Sequence, residues 1–271
     1  MTARLHVAAV QLTSTTDVDG NLERSLALTR DAADRGARLI VLPENFGLFP
    51  GNDTDKLPHA QAVDDGPFTL PFRALARERA LFILLGSIPE RGPDDQRTYN
   101  TSVLIGPRGE TVASYRKIHL FDVELQGGLT YRESAAVAPG DQPVVADVDG
   151  WPVGLSVCYD LRFPELYRRL SVSGARILTV PAAFTQHTGK DHWEPLLRAR
   201  AIENLSFVIA AGQWGQHGPR RFTWGKSMLI DPWGTVIAKA SEGEGVIDGF
   251  FEPALQDRIR GEIPALSHRR L

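Results

Sequence analysis

The chain has 271 residues, of which 42% are hydrophobic and 23% charged, and its formal net charge is -3. This composition is typical of a globular protein with enough apolar residues for a sizeable core. The weak negative charge gives no general attraction to nucleic acid or to anionic membranes, so we expect neither as a partner.

Cysteine usage and the N-terminal residues bear on the cellular compartment. Cys158 is the only cysteine, which excludes an intrachain disulfide. The first residues lack the long apolar stretch that a signal peptide or a membrane anchor requires. No low-complexity segment or linker interrupts the chain. We therefore expect a cytoplasmic protein with a single domain over residues 1–271.

The first half of the chain alternates short apolar strands with helices. A stretch rich in Gly, Pro and Asp, residues 49–68, predicts a long loop near a site rather than a domain boundary. The elements predicted here are a strand over 6–12, a helix from the candidate N-cap Asn21 to Gly36, a strand over 38–44, a helix over 70–80, a strand over 81–88, a hairpin turning at 106–109 and a strand ending at Lys117.

The second half repeats this alternation and adds further hairpins. Mixed strands and helices with several hairpins favour an α/β fold built on two sheets. The predicted elements are a hairpin turning at 149–152, a strand ending at Cys158, a helix over 163–173, a strand over 176–181, a helix over 192–205, a strand over 207–213, a hairpin turning at 231–234 and a helix over 252–262.

Glu44, Lys117 and Cys158 each fall at the end of a predicted apolar strand. The crevice beyond the carboxyl ends of strands is where ligands bind in open α/β sheets. A carboxylate, an ammonium and a thiol brought together there are sufficient for acyl transfer. The carboxylate removes the thiol proton, the thiolate attacks a carbonyl carbon and the cation stabilises the oxyanion. A nearby ammonium is also expected to favour the thiolate.

Each of these residues also has an ordinary structural interpretation. A free cysteine usually packs as a small buried hydrophobic residue. Glu44 could cap the following loop or pair with an arginine, and Lys117 could belong to a solvated basic strand edge. Only their joint occurrence is specific.

Three segments carry a family resemblance. They are Leu42-Pro-Glu-Asn-Phe, Tyr115-Arg-Lys-Ile-His-Leu-Phe-Asp and Gly154-Leu-Ser-Val-Cys-Tyr-Asp-Leu-Arg-Phe-Pro-Glu. They resemble the three signature segments of the nitrilase (carbon-nitrogen hydrolase) superfamily. The resemblance implies a four-layer αββα sandwich and hydrolysis of a nonpeptide carbon-nitrogen bond through a thioester. It also implies a homodimer or higher homo-oligomer, formed through a face that includes the helix after the cysteine.

The resemblance assigns roles to individual residues. It makes Cys158 the nucleophile, Glu44 the general base and Lys117 the oxyanion-stabilising cation, with the backbone N–H of Tyr159 as a second oxyanion donor. Members of the family often carry a second glutamate. Glu133 is the preferred candidate because its Glu-Ser context matches the amidase branch, and Glu124 is the alternative. Such a cycle requires no metal or organic cofactor.

A finer resemblance concerns the substrate. Segments beginning at Leu196, Asp231, Ser241 and Pro264 look like those of the amidases that act on deaminated glutathione and release 2-oxoglutarate and cysteinylglycine. The alternative is an omega-amidase that acts on 2-oxoglutaramate. Both are small-molecule amides with a 2-oxo acid end. Candidate substrate-binding residues, besides Tyr159, are Arg162 for that end and Phe184 and Thr185 for the pocket lining.

Other functional classes are also open. The same fold could serve as a noncatalytic module that binds a small amide, or as an acyltransferase that passes the thioester to an amine. A cysteine-histidine hydrolase is disfavoured because no papain-like segment surrounds Cys158. Arg162 could pair with Glu165 instead of a substrate, and Phe184 could simply be a core residue.

Overall fold

The computed structural model describes residues 4–125, 129–219 and 221–270. Within them the strands are β1 (Leu5–Gln11), β2 (Leu39–Val41), β3 (Phe82–Asp94), β4 (Arg97–Ile105), β5 (Thr111–Arg116), β6 (Asp122–Leu125), β7 (Leu129–Arg132), β8 (Val137–Ala138), β9 (Val145–Val148), β10 (Trp151–Gly154), β11 (Ile177–Ala182), β12 (Phe207–Gly212), β13 (Trp214–Gln216), β14 (Phe222–Trp224), β15 (Met228–Ile230), β16 (Val236–Lys239) and β17 (Gly245–Phe251).

The α-helices of the described ranges are α1 (Val18–Asp34), α2 (Leu70–Arg79), α3 (Pro164–Val172), α4 (Gln186–Asn204) and α5 (Pro253–Glu262). Three 3-10 turns span Asp53–His59, Glu133–Ala135 and Cys158–Arg162. None of the helices in the described ranges combines the length and the apolar character needed to cross a membrane.

Two large sheets form the centre of the molecule. The first has the strand order β17-β1-β2-β3-β4-β5, with β8 beside β4, and the second has the order β16-β15-β12-β11-β10-β9. Neighbouring strands are parallel along β1-β2-β3 and along β10-β11-β12, and antiparallel at the outer positions of these two orders, whereas β8 is parallel to β4. The two halves of the chain therefore build similar sheets, each with a parallel centre.

Alternating side chains explain how the layers stack, because successive residues of a strand face opposite sides of the sheet. In the first sheet, one set packs with the residues of the second sheet and the other set packs with α1 and α2. Trp193 and Leu197 of α4 and Leu166 of α3 close the far side of the second sheet. The result is a four-layer αββα sandwich, as the resemblance implied. The first set includes Val7, Leu39 and Leu84, and the second includes Ala8, Ile40 and Ile83.

The predicted start of the first helix was wrong. Asp17 is the N-cap, and its carboxylate accepts a hydrogen bond from Gly20 N–H at 3.2 Å. Asn21 lies inside the helix, where its side chain bonds to the backbone of Thr15 and to the carbonyl of Gly47 at 3.1 Å. Both residue types cap helices well, so the sequence alone did not separate them. Asn21 instead fixes the loop that follows Glu44.

Other predicted bounds also need correction. The helix expected from His192 begins six residues earlier, at Gln186. The strand expected to reach Glu44 ends at Val41, and the strand expected to reach Cys158 ends at Gly154. Apolar runs continue past both strand ends because the following residues remain buried, and Leu42 N–H and Leu155 N–H still donate to Leu84 and Val144 although the regular strands have ended.

His217 connects the small hairpin of β13 and β14 to the body of the protein. It is buried, its Nδ1 lies 2.7 Å from the Ser14 carbonyl, and its Nε2 lies 2.6 Å from Thr223 Oγ1. A carbonyl only accepts, so Nδ1 carries the proton and Nε2 accepts from the hydroxyl of Thr223. The ring also stacks on Phe49, with 3.8 Å between centroids. Burial lowers the pKa of His217 to about 4.

We expect this histidine to make stability depend on pH. Its folded pKa lies below the unfolded value of about 6.5, so the unfolded state takes up the proton first as the pH falls. The contribution of this lowered pKa to the free energy of unfolding is fully present above about pH 6.5 and is lost progressively as the pH falls to about 4. At pH 4.5 the loss should be roughly 2–3 kcal/mol, from the difference between the two pKa values.

The measurement is urea unfolding at pH 7.0 and 4.5 for the wild type and for His217→Gln. The wild type should lose more free energy of unfolding than the variant over this interval, because the variant lacks the titrating ring. Equal losses in the two proteins would show that His217 does not contribute.

Candidate active site

Four polar side chains from four separate segments meet where the two sheets join. Glu44 lies three residues beyond β2, Lys117 follows β5 directly, and Glu133 begins the 133–135 turn. Cys158 begins the 158–162 turn after β10. All four are buried, with 8% or less of each residue exposed. The structure thus brings together the three residues expected from the strand ends and the preferred second glutamate.

Lys117 stands between the two carboxylates. Its Nζ lies 3.0 Å from Glu44 Oε1, and 3.0 and 2.8 Å from the two oxygens of Glu133. The side-chain amide of Asn100 also donates to both carboxylates, at 2.8 Å to Glu44 and 3.2 Å to Glu133. These contacts hold three buried charges in one hydrogen-bonded network.

Backbone N–H groups also donate hydrogen bonds to both carboxylates. Ala183 N–H donates to Glu44 Oε2 at 2.9 Å, and Phe121 N–H donates to Glu133 Oε2 at 2.7 Å. The Cys158 thiol lies near enough to Glu44 to lower the pKa of that carboxylate. Glu44 is therefore oriented by side-chain and backbone donors while it lies near the sulfur.

The charges of this network set the protonation states. Burial alone would raise the pKa of Glu44, but the ammonium groups of Lys117 and Lys56 outweigh it and lower that pKa below its usual value. Burial opposes the charge of Lys117, yet the carboxylates of Glu133 and Glu44 raise its pKa well above the usual range. Both groups are therefore charged at neutral pH.

The protonation state of the Cys158 thiol follows from its burial and from the charges beside it. Burial and the negative charge of Glu44 raise the pKa of Cys158 well above its usual range, and Lys117 opposes this shift only in part. Lys117 does favour the thiolate, as expected, but burial and the charge of Glu44 outweigh it, so the resting thiol is neutral. A neutral thiol stands beside an ionised carboxylate, which is the arrangement that general-base activation needs.

Cys158 also has an unusual backbone conformation, with φ of 51°. This left-handed region is unfavourable for a residue with a Cβ and is found mainly where the surroundings enforce it. Cys158 directly follows the buried segment 155–157, and the 158–162 turn begins at this residue. The nucleophile candidate therefore stands at a sharp, enforced turn.

Asp160 enforces that turn. It is fully buried, and its Oδ2 accepts from Val157 N–H at 2.8 Å and from the Tyr115 hydroxyl at 2.7 Å. Its Oδ1 lies 3.1 Å from His119 N and 2.7 Å from His119 Nδ1, and both nitrogens point their donors at it. Tyr115 and His119 flank Lys117 in the sequence. One carboxylate thus ties the cysteine turn to the lysine segment.

A cavity of about 670 Å³, its open mouth included, lies over these residues. The four predicted substrate-binding residues, Tyr159, Arg162, Phe184 and Thr185, all line it. Phe184 is also a core residue, so both interpretations of it hold. Further lining comes from Phe49, Lys56, Phe121, Tyr131, Thr188, Arg221, Phe222 and Thr223.

The positions of Arg162 and of the two glutamates answer two open questions of placement. Arg162 lies 4.9 Å over the ring of Phe184 and 3.3 Å from His192 Nδ1, and within the described ranges it makes no ion pair with Glu165. Glu124 is exposed on β6, whereas Glu133 touches Lys117.

Sequence reasoning missed Asn100, Asp160 and Lys56. Only Asp160 gave a signal, since it stands two residues after Cys158.

Comparison with known proteins gave consistent results. The carbon-nitrogen hydrolase family model matches residues 6–254. A Synechocystis protein named deaminated glutathione amidase is 45% identical over 265 residues, which cover 97% of this chain and 97% of that protein.

Two solved structures are also similar. The NitFhit protein of C. elegans has a TM-score of 0.93 at 37% identity, and the match covers 99% of this chain and 66% of that one. An amidase from Nesterenkonia sp. AN1 has a TM-score of 0.81 at 28% identity, covering 98% and 94% of the two chains. That structure shows the acetamide moiety of fluoroacetamide added covalently at the active-site cysteine.

We expect Asp160→Asn to impair both stability and amide hydrolysis. An amide nitrogen would face donors that now meet a carboxylate oxygen, which should lower the free energy of unfolding by about 1–3 kcal/mol. Loosening the turn should lower kcat by about 10- to 100-fold with a smaller change in KM. Tyr115→Phe removes a single donor and should give an intermediate effect.

The measurements are urea unfolding and steady-state kinetics, with Asp122→Asn as control. Asp122 is an exposed aspartate that also accepts hydrogen bonds, from Ser134 at 3.0 Å and 2.5 Å. A variant that loses stability but keeps the wild-type kcat would show that Asp160 does not position the reacting groups.

Proposed function

The chain belongs to the carbon-nitrogen hydrolase family, and we propose that it hydrolyses the amide bond of deaminated glutathione to 2-oxoglutarate and cysteinylglycine. Relatives that match nearly the whole chain are named deaminated glutathione amidase and a structural neighbour is an amidase with an active-site cysteine, so the chain is a cysteine-dependent amidase. The substrate is proposed from the named relatives, which match nearly the whole chain. We also propose that residues 1–271 form a single carbon-nitrogen hydrolase domain.

The observation that supports the reaction is that a neutral buried thiol and an ionised buried carboxylate line the same cavity and shift each other's pKa. In our proposal, Glu44 takes the Cys158 proton while Sγ attacks the amide carbon. The oxyanion develops beside Lys117 and the backbone N–H of Tyr159, which has no acceptor within its own turn because it lies in the first positions of that turn. Preorganised donors of this kind are a main source of catalytic power.

The second half of the proposed cycle uses the same groups. Glu44 returns the proton to the amide nitrogen, the carbon-nitrogen bond breaks and cysteinylglycine leaves. A water molecule then gives its proton to Glu44 and attacks the thioester carbon. Glu44 passes that proton to the departing sulfur, which releases 2-oxoglutarate and restores the neutral thiol and the ionised carboxylate. Glu133 keeps Lys117 charged and in place throughout. Every step is carried by side chains and backbone groups of this chain.

Substrate binding is proposed to use the walls of the cavity. Arg162 binds the 2-oxo acid end, since guanidinium groups recognise carboxylates through two parallel hydrogen bonds. Phe184 and Thr185 contact the acyl chain and, together with Tyr159, define the space around the sulfur. Support comes from their common placement around Cys158.

We further propose that the enzyme is a homo-oligomer that acts in the cytoplasm, where its single cysteine stays reduced. The proposed interface includes α3, on which Val172 is 61% exposed, and the adjoining α4, on which Ile202 is 47% exposed.

Light scattering should give at least the mass of a dimer, and Val172→Asp should shift the measured mass toward that of the monomer. A monomeric wild type, or recovery of the native enzyme outside the cytoplasmic fraction, would contradict these proposals.

Turnover should depend entirely on two residues. Cys158→Ala removes the nucleophile and Glu44→Gln removes the base, so each should lower kcat by about 1,000-fold or more. The assay offers deaminated glutathione and 2-oxoglutaramate separately and follows 2-oxoglutarate, cysteinylglycine and ammonia. Wild-type kcat/KM should be higher for deaminated glutathione.

Several results would contradict this proposal. A higher kcat/KM for 2-oxoglutaramate would make the chain an omega-amidase, and new amide products on adding acceptor amines would make it an acyltransferase. Failure to detect an acyl adduct on Cys158 by mass spectrometry, together with no turnover, would favour a noncatalytic binding module. The native circular dichroism spectrum of each variant serves as the folding control.

A further inference from the structure

Lys56 is a buried cation whose charge acts on Glu44 but which makes no hydrogen bond or ion pair with the catalytic network of the described residues. It lies in the 3-10 turn Asp53–His59 and is only 5% exposed. It lines the same cavity as Cys158 and Glu44. Among the described residues, no hydrogen bond or ion pair satisfies its ammonium group, and its charge acts on Glu44 from beyond ion-pair distance. A buried unpaired ammonium is unfavourable unless an anion joins it.

The charges around the cavity define which ligand would compensate Lys56. The cationic lining groups are Lys56, Lys117, Arg162 and Arg221, and the anionic ones are Glu44 and Glu133. Outside the pairs that Lys117 makes with the two glutamates, Lys56 and Arg162 offer one positive charge to each of the two carboxylates of deaminated glutathione, one on the 2-oxo acid and one on the terminal glycine.

The position of Lys56 relative to Glu44 distinguishes these two ends. Glu44 gives the proton to the leaving amine, so the departing peptide lies on the Glu44 side of the sulfur. Lys56 is on that side, in a turn that packs against β4 and the 133–135 turn, whereas Arg162 lies in the turn after Cys158. A two-residue leaving group reaches up to about 7 Å, which is beyond ion-pair distance from Glu44.

We propose that the Lys56 ammonium binds the terminal glycine carboxylate of the departing cysteinylglycine and so selects a peptide amide over a simple primary amide. This inference rests on the proposed function. It makes Lys56 a specificity-determining residue for the leaving group, separate from the groups that act on the reacting atoms.

The test compares Lys56→Gln, Lys56→Arg and the wild type on three substrates. They are deaminated glutathione, its analogue with a terminal glycinamide, and 2-oxoglutaramate. Lys56→Gln should lower kcat/KM for deaminated glutathione by about 10- to 100-fold, the range of a charge-assisted contact. Because Lys56 also acts on Glu44, the other two substrates should share a smaller and equal loss, and Lys56→Arg should recover part of the extra loss on deaminated glutathione. Lys239→Gln, which removes a surface lysine paired with Glu194, is the control.

The unique cysteine supplies a readout that is independent of turnover. Iodoacetylglycylglycine and its terminal carboxamide differ only in one carboxylate, and both alkylate the Cys158 thiol with loss of iodide. Lys56→Gln should slow the anionic reagent relative to the neutral one. If the wild type does not hydrolyse deaminated glutathione, the proposed function fails, and the ratio of these two rates still decides the role of Lys56.

Two outcomes would overturn the proposal. The first is an unchanged kcat/KM for deaminated glutathione in an otherwise active enzyme. The second is an equal loss on all three substrates with an equal slowing of both reagents, which would mean that Lys56 acts through Glu44 and not on the leaving group.

Discussion

The ion pair of Lys117 with two buried glutamates is the constraint on which the rest of the site depends. Glu44, Lys117 and Glu133 come from three separate segments, and each is almost fully buried. Removing Lys117 would leave two buried carboxylates without the cation between them, and breaking a buried ion pair in this way typically destabilises a protein by about 3–5 kcal/mol. The fold is therefore stable only when these segments meet. The same requirement keeps the catalytic groups in place before a substrate enters, so that little reorganisation is needed during the reaction.

This network also determines which group is the base. A lone lysine beside a cysteine would favour the thiolate. Here the positive charge of Lys117 is shared by two carboxylates, and burial together with the charge of Glu44 keeps the Cys158 proton on sulfur. An ionised Glu44 and a neutral thiol can exchange the proton during attack, and the protonated carboxyl can then supply the leaving amine. A permanent thiolate would leave no proton in the site for that second step.

The sequence predicted the five helices of the described ranges, most strands of the two large sheets and the polar residues that follow them, because apolar runs followed by polar side chains are local patterns. It did not predict β8, β17 or the small hairpins β6-β7 and β13-β14. It also did not predict where a strand ends within an apolar run, because the residues after Gly154 remain buried although β10 ends there. Asn100 lies within β4, where nothing in the local pattern separates it from a structural residue. Lys56 lies in a loop without periodicity. Their roles arise from contacts between segments distant in the sequence, such as the 56 residues between Asn100 and Glu44.

Asp160 shows how the stability of the fold and the geometry of the site are linked. The left-handed conformation of Cys158 is unfavourable by roughly 1–2 kcal/mol. A buried hydrogen bond contributes about 1 kcal/mol, and more when one partner is charged. The contacts that Asp160 accepts from Val157, Tyr115 and His119 therefore suffice to hold the turn. Because two of these donors flank Lys117, the interactions that offset the strain at the sulfur also fix its distance from the ammonium. The energy that stabilises the turn thus also aligns the reacting groups.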